Sequence, residues 1–171
     1  MRKLLPILFL LVASACSSGP AAPSIEATQQ VCNDLFCVDV PEGWVPEIGD
    51  TYIAFNHRID PDNTFLTVGT LDMEAVVENA GGTWPVPPEE VTAAFWALLD
   101  DAEVGSFERS ARQVGGAIKS WGNHSDGDMW HLLYPVDGSR GIAIELRAPN
   151  DSWETHADQV FTSLEVLKAE S

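Results

Sequence analysis

Residues 141–164 read GIAIELRAPNDSWETHADQVFTSL, and the change of period inside this stretch decides the fold class. From Gly141 to Arg147 the apolar side chains Ile142, Ile144 and Leu146 alternate with Glu145 and Arg147. Successive side chains of a strand point to opposite faces, so this is a half-buried antiparallel strand. Asp151 then stands where a helix cap is wanted, with Glu154 three residues on, a variant of the capping box. Trp153, Ala157, Val160, Phe161 and Leu164 follow at helical spacing on one stripe. A strand with one apolar face and a helix with one apolar stripe bury those surfaces against each other.

Working outward, the chain supplies more strands. Val114–Gly122 and Asp128–Val136 read as a hairpin around Asn123–Gly127, with Asp137-Gly138-Ser139 as the next turn. Upstream, Leu35–Val40, Thr51–Asn56 and Thr64–Leu71 read as strands, with a turn at Asp60–Asn63. Met73–Asn79 reads as a short helix stopped at Gly81-Gly82. Pro88 suits a helix first turn and Glu89 and Glu90 its positive end. Val91, Ala94, Phe95 and Leu98 form the buried face of that helix, which ends near Asp100. The predicted class is α+β, an antiparallel meander covered by helices.

The start of the chain carries a different message. Arg2 and Lys3 precede an apolar run from Leu4 to Val12 and the small residues Ala13, Ser14 and Ala15, the three-part pattern of a secretory signal. LVASAC, residues 11–16, resembles the lipobox of bacterial lipoproteins, with Ala13 where those signals usually carry Leu. The resemblance implies cleavage before Cys16 and a lipid anchor on it. Of the three cysteines, Cys32 and Cys37 can pair in an oxidising compartment, which leaves Cys16 odd. A disulfide closing so small a loop contributes about 2 kcal/mol. Removing residues 1–15 leaves seven Lys+Arg against 26 Asp+Glu, a formal charge of −19. Such a chain does not bind nucleic acid by neutralising phosphates, and it is repelled by anionic headgroups, so the lipid must hold it at the membrane. The expected organisation is a signal peptide over 1–15, a lipidated cysteine and flexible tether over 16–30, and one globular domain over 31–171. The expected location is the cell envelope, outside the cytoplasm.

The strand running into Val40-Pro41-Glu42-Gly43-Trp44, the closing helix ending Phe161-Thr162-Ser163-Leu164 and the element order resemble the PsbP-like family, which includes LpqN-type lipoproteins. The resemblance covers roughly residues 35–167. It implies an α/β/α sandwich and a non-enzymatic accessory or binding role, and it brings no catalytic residues.

Sites are sparse. There is no nucleophile elbow, P-loop, dinucleotide fingerprint or metalloprotease motif, and no cofactor is expected. Asp60–Thr64 lacks the glycine and the distant glutamate of a calcium loop and reads as a turn. His57, His124, His131 and His156 share no metal-ligand spacing, and His131 reads as a half-exposed strand residue. Trp44, Trp96 and Trp153 fit the core. Trp84 in a proline-rich loop, Trp121 beside the hairpin and His124 within it are the candidate binding residues, since exposed aromatics near loops make binding hot spots. Three functions remain open: a binding or accessory module for a protein or small-ligand partner, a hydrolase built from dispersed His and acidic residues, and an acidic cation-binding domain.

Overall fold

The structure, a computed structural model, describes residues 19–101, 110–114, 116–124 and 127–167. Cys16 and the expected signal segment lie outside the described residues.

Among the described residues, ten strands form two antiparallel sheets and three α-helices pack with them. β1 (Thr28–Cys32), β2 (Phe36–Pro41) and the short β10 (Glu165–Val166) make a small sheet in the order β1-β2-β10. β3 (Trp44–Ile48), β4 (Tyr52–His57), β5 (Phe65–Asp72), β6 (Ser110–Val114), β7 (Ala117–His124), β8 (Gly127–Asp137) and β9 (Arg140–Ala148) make a seven-stranded sheet. Its order is β3-β4-β5-β9-β8-β7-β6. It is two meanders joined where β9 returns beside β5, rather than one continuous meander. α1 (Met73–Asn79) and α2 (Pro88–Asp101) fill the crossover between them, and α3 (Glu154–Ser163) closes the chain.

Both faces of the large sheet are used. Ile144 stands opposite both Val68 and Leu132, and Leu146 opposite Leu66 and Trp130. This face packs on Phe36, Val38 and Val40 of β2 and on Ala157, Val160 and Phe161 of α3. The stripe expected on the closing helix is therefore core. Ile118 and Leu133, one residue out of phase, belong to the other face and meet Met73, Val76, Val77 and Val91 of α1 and α2. Trp44, Trp96 and Trp153 are buried as expected.

Several expectations need correcting. α3 is not capped by Asp151: Asn150 accepts from Ser152 N at 3.2 Å and starts a single 3₁₀ turn over Asp151–Trp153, from which α3 continues. The strand expected from Val114 is interrupted at Gly116 (φ 87°), so β6 and β7 are separate. β3 follows the turn at Gly43 (φ 104°), where only an end to β2 was expected. Residues 19–30, expected within a tether, lie on the domain. Asn150 Nδ2 donates to Gly19 O and Pro20 O, and Ala22 N donates to Ser152 Oγ at 2.8 Å. Residues 28–32 are strand β1. The reason is the acceptor-rich backbone of this proline-containing segment, which satisfies donors at the start of α3 that would otherwise be orphaned.

Cys32 and Cys37 stand directly opposite each other across β1 and β2, with Cα atoms 4.1 Å apart and sulfurs at bonding distance. They form the disulfide expected of them, a rung across the hairpin.

Candidate ligand-binding cleft

At the end of the large sheet where the β7–β8 hairpin, the β4–β5 turn and the end of β9 converge, a cleft of about 180 Å³ opens. It is lined by Asp62, Asn63, Phe65, Gly127, Asp128, Met129, Arg147 and Ala148. Register builds its floor: Arg147 of β9 lies opposite Phe65 of β5 on one side and Met129 of β8 on the other. All three therefore project from one face as a cross-strand row. The Arg147 guanidinium lies over the Phe65 ring, 5.4 Å from its centroid, a cation–π contact. The wall is set by Gly127 (φ 145°), whose α-carbon passes so near the end of β9 that a Cβ would stand 2.2 Å from Ala148 O. Only glycine fits there. The opposite wall is the Asp60–Asn63 turn, held by Thr64 N to Asp60 O (2.9 Å) and Asn63 Nδ2 to Asp60 Oδ1 (3.0 Å).

The electrostatics of this cleft are unresolved within the domain. Arg147 Nε is buried and donates to nothing. Neither Arg147 nor Asp62 nor Asp128 takes part in an ion pair among the described residues, whereas Lys119 pairs with Glu154 and Asp158, and Arg140 with Asp137. A buried charged donor without an acceptor is costly, and guanidinium is the side chain best shaped to take a carboxylate in a two-point contact. Burial, and then the charge of Asp151, push the Asp128 carboxyl above its ordinary range. Burial raises Glu145 likewise, against the opposing pull of Arg147. The alternation of β9 had put Glu145 and Arg147 on an open face. They are half-buried instead.

The residues singled out from sequence are dispersed. Trp121 is 40% exposed and shares the α3 side of the sheet with Lys119. Trp84 is half-buried on the α1–α2 cluster, the opposite face, so the two do not form one aromatic patch. His124 ends β7 close to the cleft, but its side chain lies outside the described residues. A second, apolar groove of about 390 Å³ runs between α1, the loop after it and the alanines of α2.

The other imidazoles are interior groups. His57, Trp44, Trp153 and His156 form an aromatic cluster, with His57 4.8 Å from Trp153 and 5.0 Å from Trp44 between ring centroids. Trp44 Nε1 donates to His156 Nδ1 at 3.3 Å, which leaves His156 Nε2 to donate to Pro23 O at 2.9 Å. His57 Nδ1 accepts from Ile59 N at 3.2 Å. His131 is fully buried, correcting the half-exposed reading: α2 covers that face, and Phe95 stacks on the ring at 4.1 Å. Burial pushes His131 down to about 3 and lowers His57 and His156. None of these three imidazoles bonds to a serine or carboxylate side chain among the described residues, and there no group of three or more His, Cys, Asp or Glu is placed to hold a metal ion.

No family model and no curated protein matches the chain. A solved structure from Bacteroides thetaiotaomicron VPI-5482 is similar over 78% of this chain with 13% identity and a TM-score of 0.42. The aligned part spans 45% of that longer chain.

Arg147 was legible as a strand residue and not as a site. The signal was its scarcity: seven basic residues remain after residue 15, and this one sits in an apolar strand.

Proposed function

We propose that this chain is an exported bacterial lipoprotein, anchored through Cys16, whose domain is a non-enzymatic binding module for a small carboxylate-bearing ligand. The observation that carries the ligand reading is the Arg147 guanidinium, buried and without an acceptor at Nε, set over the Phe65 ring and in no ion pair among the described residues of an acidic chain. At about 180 Å³ the cleft is smaller than the roughly 300 Å³ at which drug-sized sites begin, so the ligand is small. The signal pattern, the odd cysteine and the PsbP-like signatures at Val40–Trp44 and Phe161–Leu164 support export, anchoring and an accessory role. No helix among the described residues is long and apolar enough to cross a membrane.

The anchor and the cleft are neighbours in this reading. Gly19 packs on Pro149, the residue after Ala148 of the cleft. From Cys16 to Gly19 an extended chain reaches about 10 Å. Lipidation then holds the cleft end of the domain close to the bilayer.

Thermal melts with propionate test the ligand reading. A ligand at about 100 times its Kd stabilises the native state by about 2.7 kcal/mol. The purified wild-type chain should gain Tm, and Arg147→Lys, which keeps the charge and loses the planar fork, should lose most of the gain. An equal gain in both would refute the assignment.

A further inference from the structure

Resting on that reading, we infer that the cleft selects monocarboxylates with a short apolar tail, and that Glu145 is the residue that excludes a second negative charge. Strand register decides which groups meet the ligand. Arg147 shares its face of the sheet with Phe65 and Met129 in one cross-strand row, and with Glu145 two residues back along β9. Asp128 also lines the cleft, but it stands opposite Ala148, out of phase with Arg147, and its side chain projects from the other face. Arg147 is the one basic side chain among the described residues that line the cleft.

The tail is set by the flanks of the guanidinium. Phe65 and Met129 both line the cleft. A carboxylate seated on Arg147 therefore carries its body across apolar surface, where a polar substituent would lose water without gaining a partner. Each methylene buried there raises affinity about fourfold until the cleft is filled. The charge limit is set by Glu145. Side chains two apart on a strand stand about 7 Å from each other on one face. Burial pushes the Glu145 carboxyl up, and the charge of Arg147 pulls it back only in part. The two form no ion pair, so the guanidinium is open to a carboxylate from outside while one negative group already stands on its face. A monocarboxylate balances Arg147. A dicarboxylate brings its second charge against Glu145, and like-charge juxtaposition rejects it.

The test is a calorimetric titration of the purified whole chain, at fixed ionic strength, with acetate, butyrate and succinate. Butyrate and succinate each have four carbons and differ in the second carboxylate. Butyrate should bind more than about tenfold more tightly than acetate, and more tightly than succinate. Glu145→Gln keeps the shape of the side chain and removes its charge, and it should shrink the preference for butyrate over succinate by about fivefold. If acetate binds as tightly as butyrate, the apolar tail fails while the Arg147 carboxylate site stands. If succinate matches butyrate in the wild type, or if Glu145→Gln leaves the preference unchanged, the charge limit fails. Loss of butyrate binding in Glu145→Gln would make Glu145 a group that holds the ligand, which contradicts the inference. If none of the three probes binds the wild type, the inference and the proposed function fail together.

Discussion

His131 has no exposed surface and no hydrogen-bond partner for either ring nitrogen. It is neutral in the folded protein, with its pKa pushed from 6.5 to about 3 by burial. The unfolded chain takes up that proton as pH falls below 6.5, and the native state does not. Stability therefore falls with decreasing pH, by up to about 1.4 kcal/mol per pH unit for this one group. His57 and His156, also lowered, act in the same direction. Asp128 and Glu145, both raised, oppose it once they begin to protonate at lower pH. The acid limb just below pH 6.5 is thus the histidine window. His131→Phe, which keeps a ring against Phe95, should flatten the denaturant-derived stability curve there by about one proton. An unchanged slope would show that His131 does not titrate on unfolding. Gly127 is the second residue with a single allowed occupant. Gly127→Ala should cost more than about 1 kcal/mol in a denaturant melt, because an alanine at φ 145° is strained and its Cβ meets Ala148 O. Loss of less than half of that would mean the hairpin does not approach β9 this closely.

The helices and strands that were legible from sequence are those whose period was not disturbed from outside. α3 is the best case: Trp153, Ala157, Val160 and Phe161 are all buried, and Lys119 reaches over the Phe161 ring at 5.9 Å while pairing with Glu154 and Asp158. Phe161→Ala should cost about 3 kcal/mol in urea or guanidinium unfolding. A loss under about 1 kcal/mol would remove the helix from the core. β3 was missed because its sequence, Trp-Val-Pro-Glu-Ile, has no alternation to detect. It is an edge strand, where proline is tolerated and Val45 and Ile48 stay exposed. The sequence pattern marks β8 and β9 as strands and leaves their second faces unassigned. Alternation says which residues share a face and not whether a helix will cover it, and α2 covers His131. The cleft was illegible for a related reason. Phe65, Arg147 and Met129 are far apart in the chain and meet only through strand register, whereas Trp84 and Trp121, which looked alike in sequence, fall on opposite faces.

At the scale of the whole molecule, the proposed function joins three parts: an anchor, a strap and a cleft. The strap over residues 19–27 ties to Asn150, Ser152, Trp153 and His156. Cys16→Ser should move the protein from membrane pellets to the soluble fraction without changing its melting temperature, since Cys16 lies ahead of every strap contact. Retention in the pellet at the wild-type level would remove the anchor from the account. The central claim is that Arg147 is an open carboxylate receptor. The Nε–H of Arg147 reports on it directly, because that donor has no partner among the described residues. In a ¹⁵N-labelled chain, the Arg147 Nε–H resonance, assigned by its loss in Arg147→Lys, should shift saturably as propionate is added. The account predicts that this shift tracks the Tm gain across concentration. A resonance that stays fixed while the ligand binds elsewhere, or while nothing binds, would contradict it.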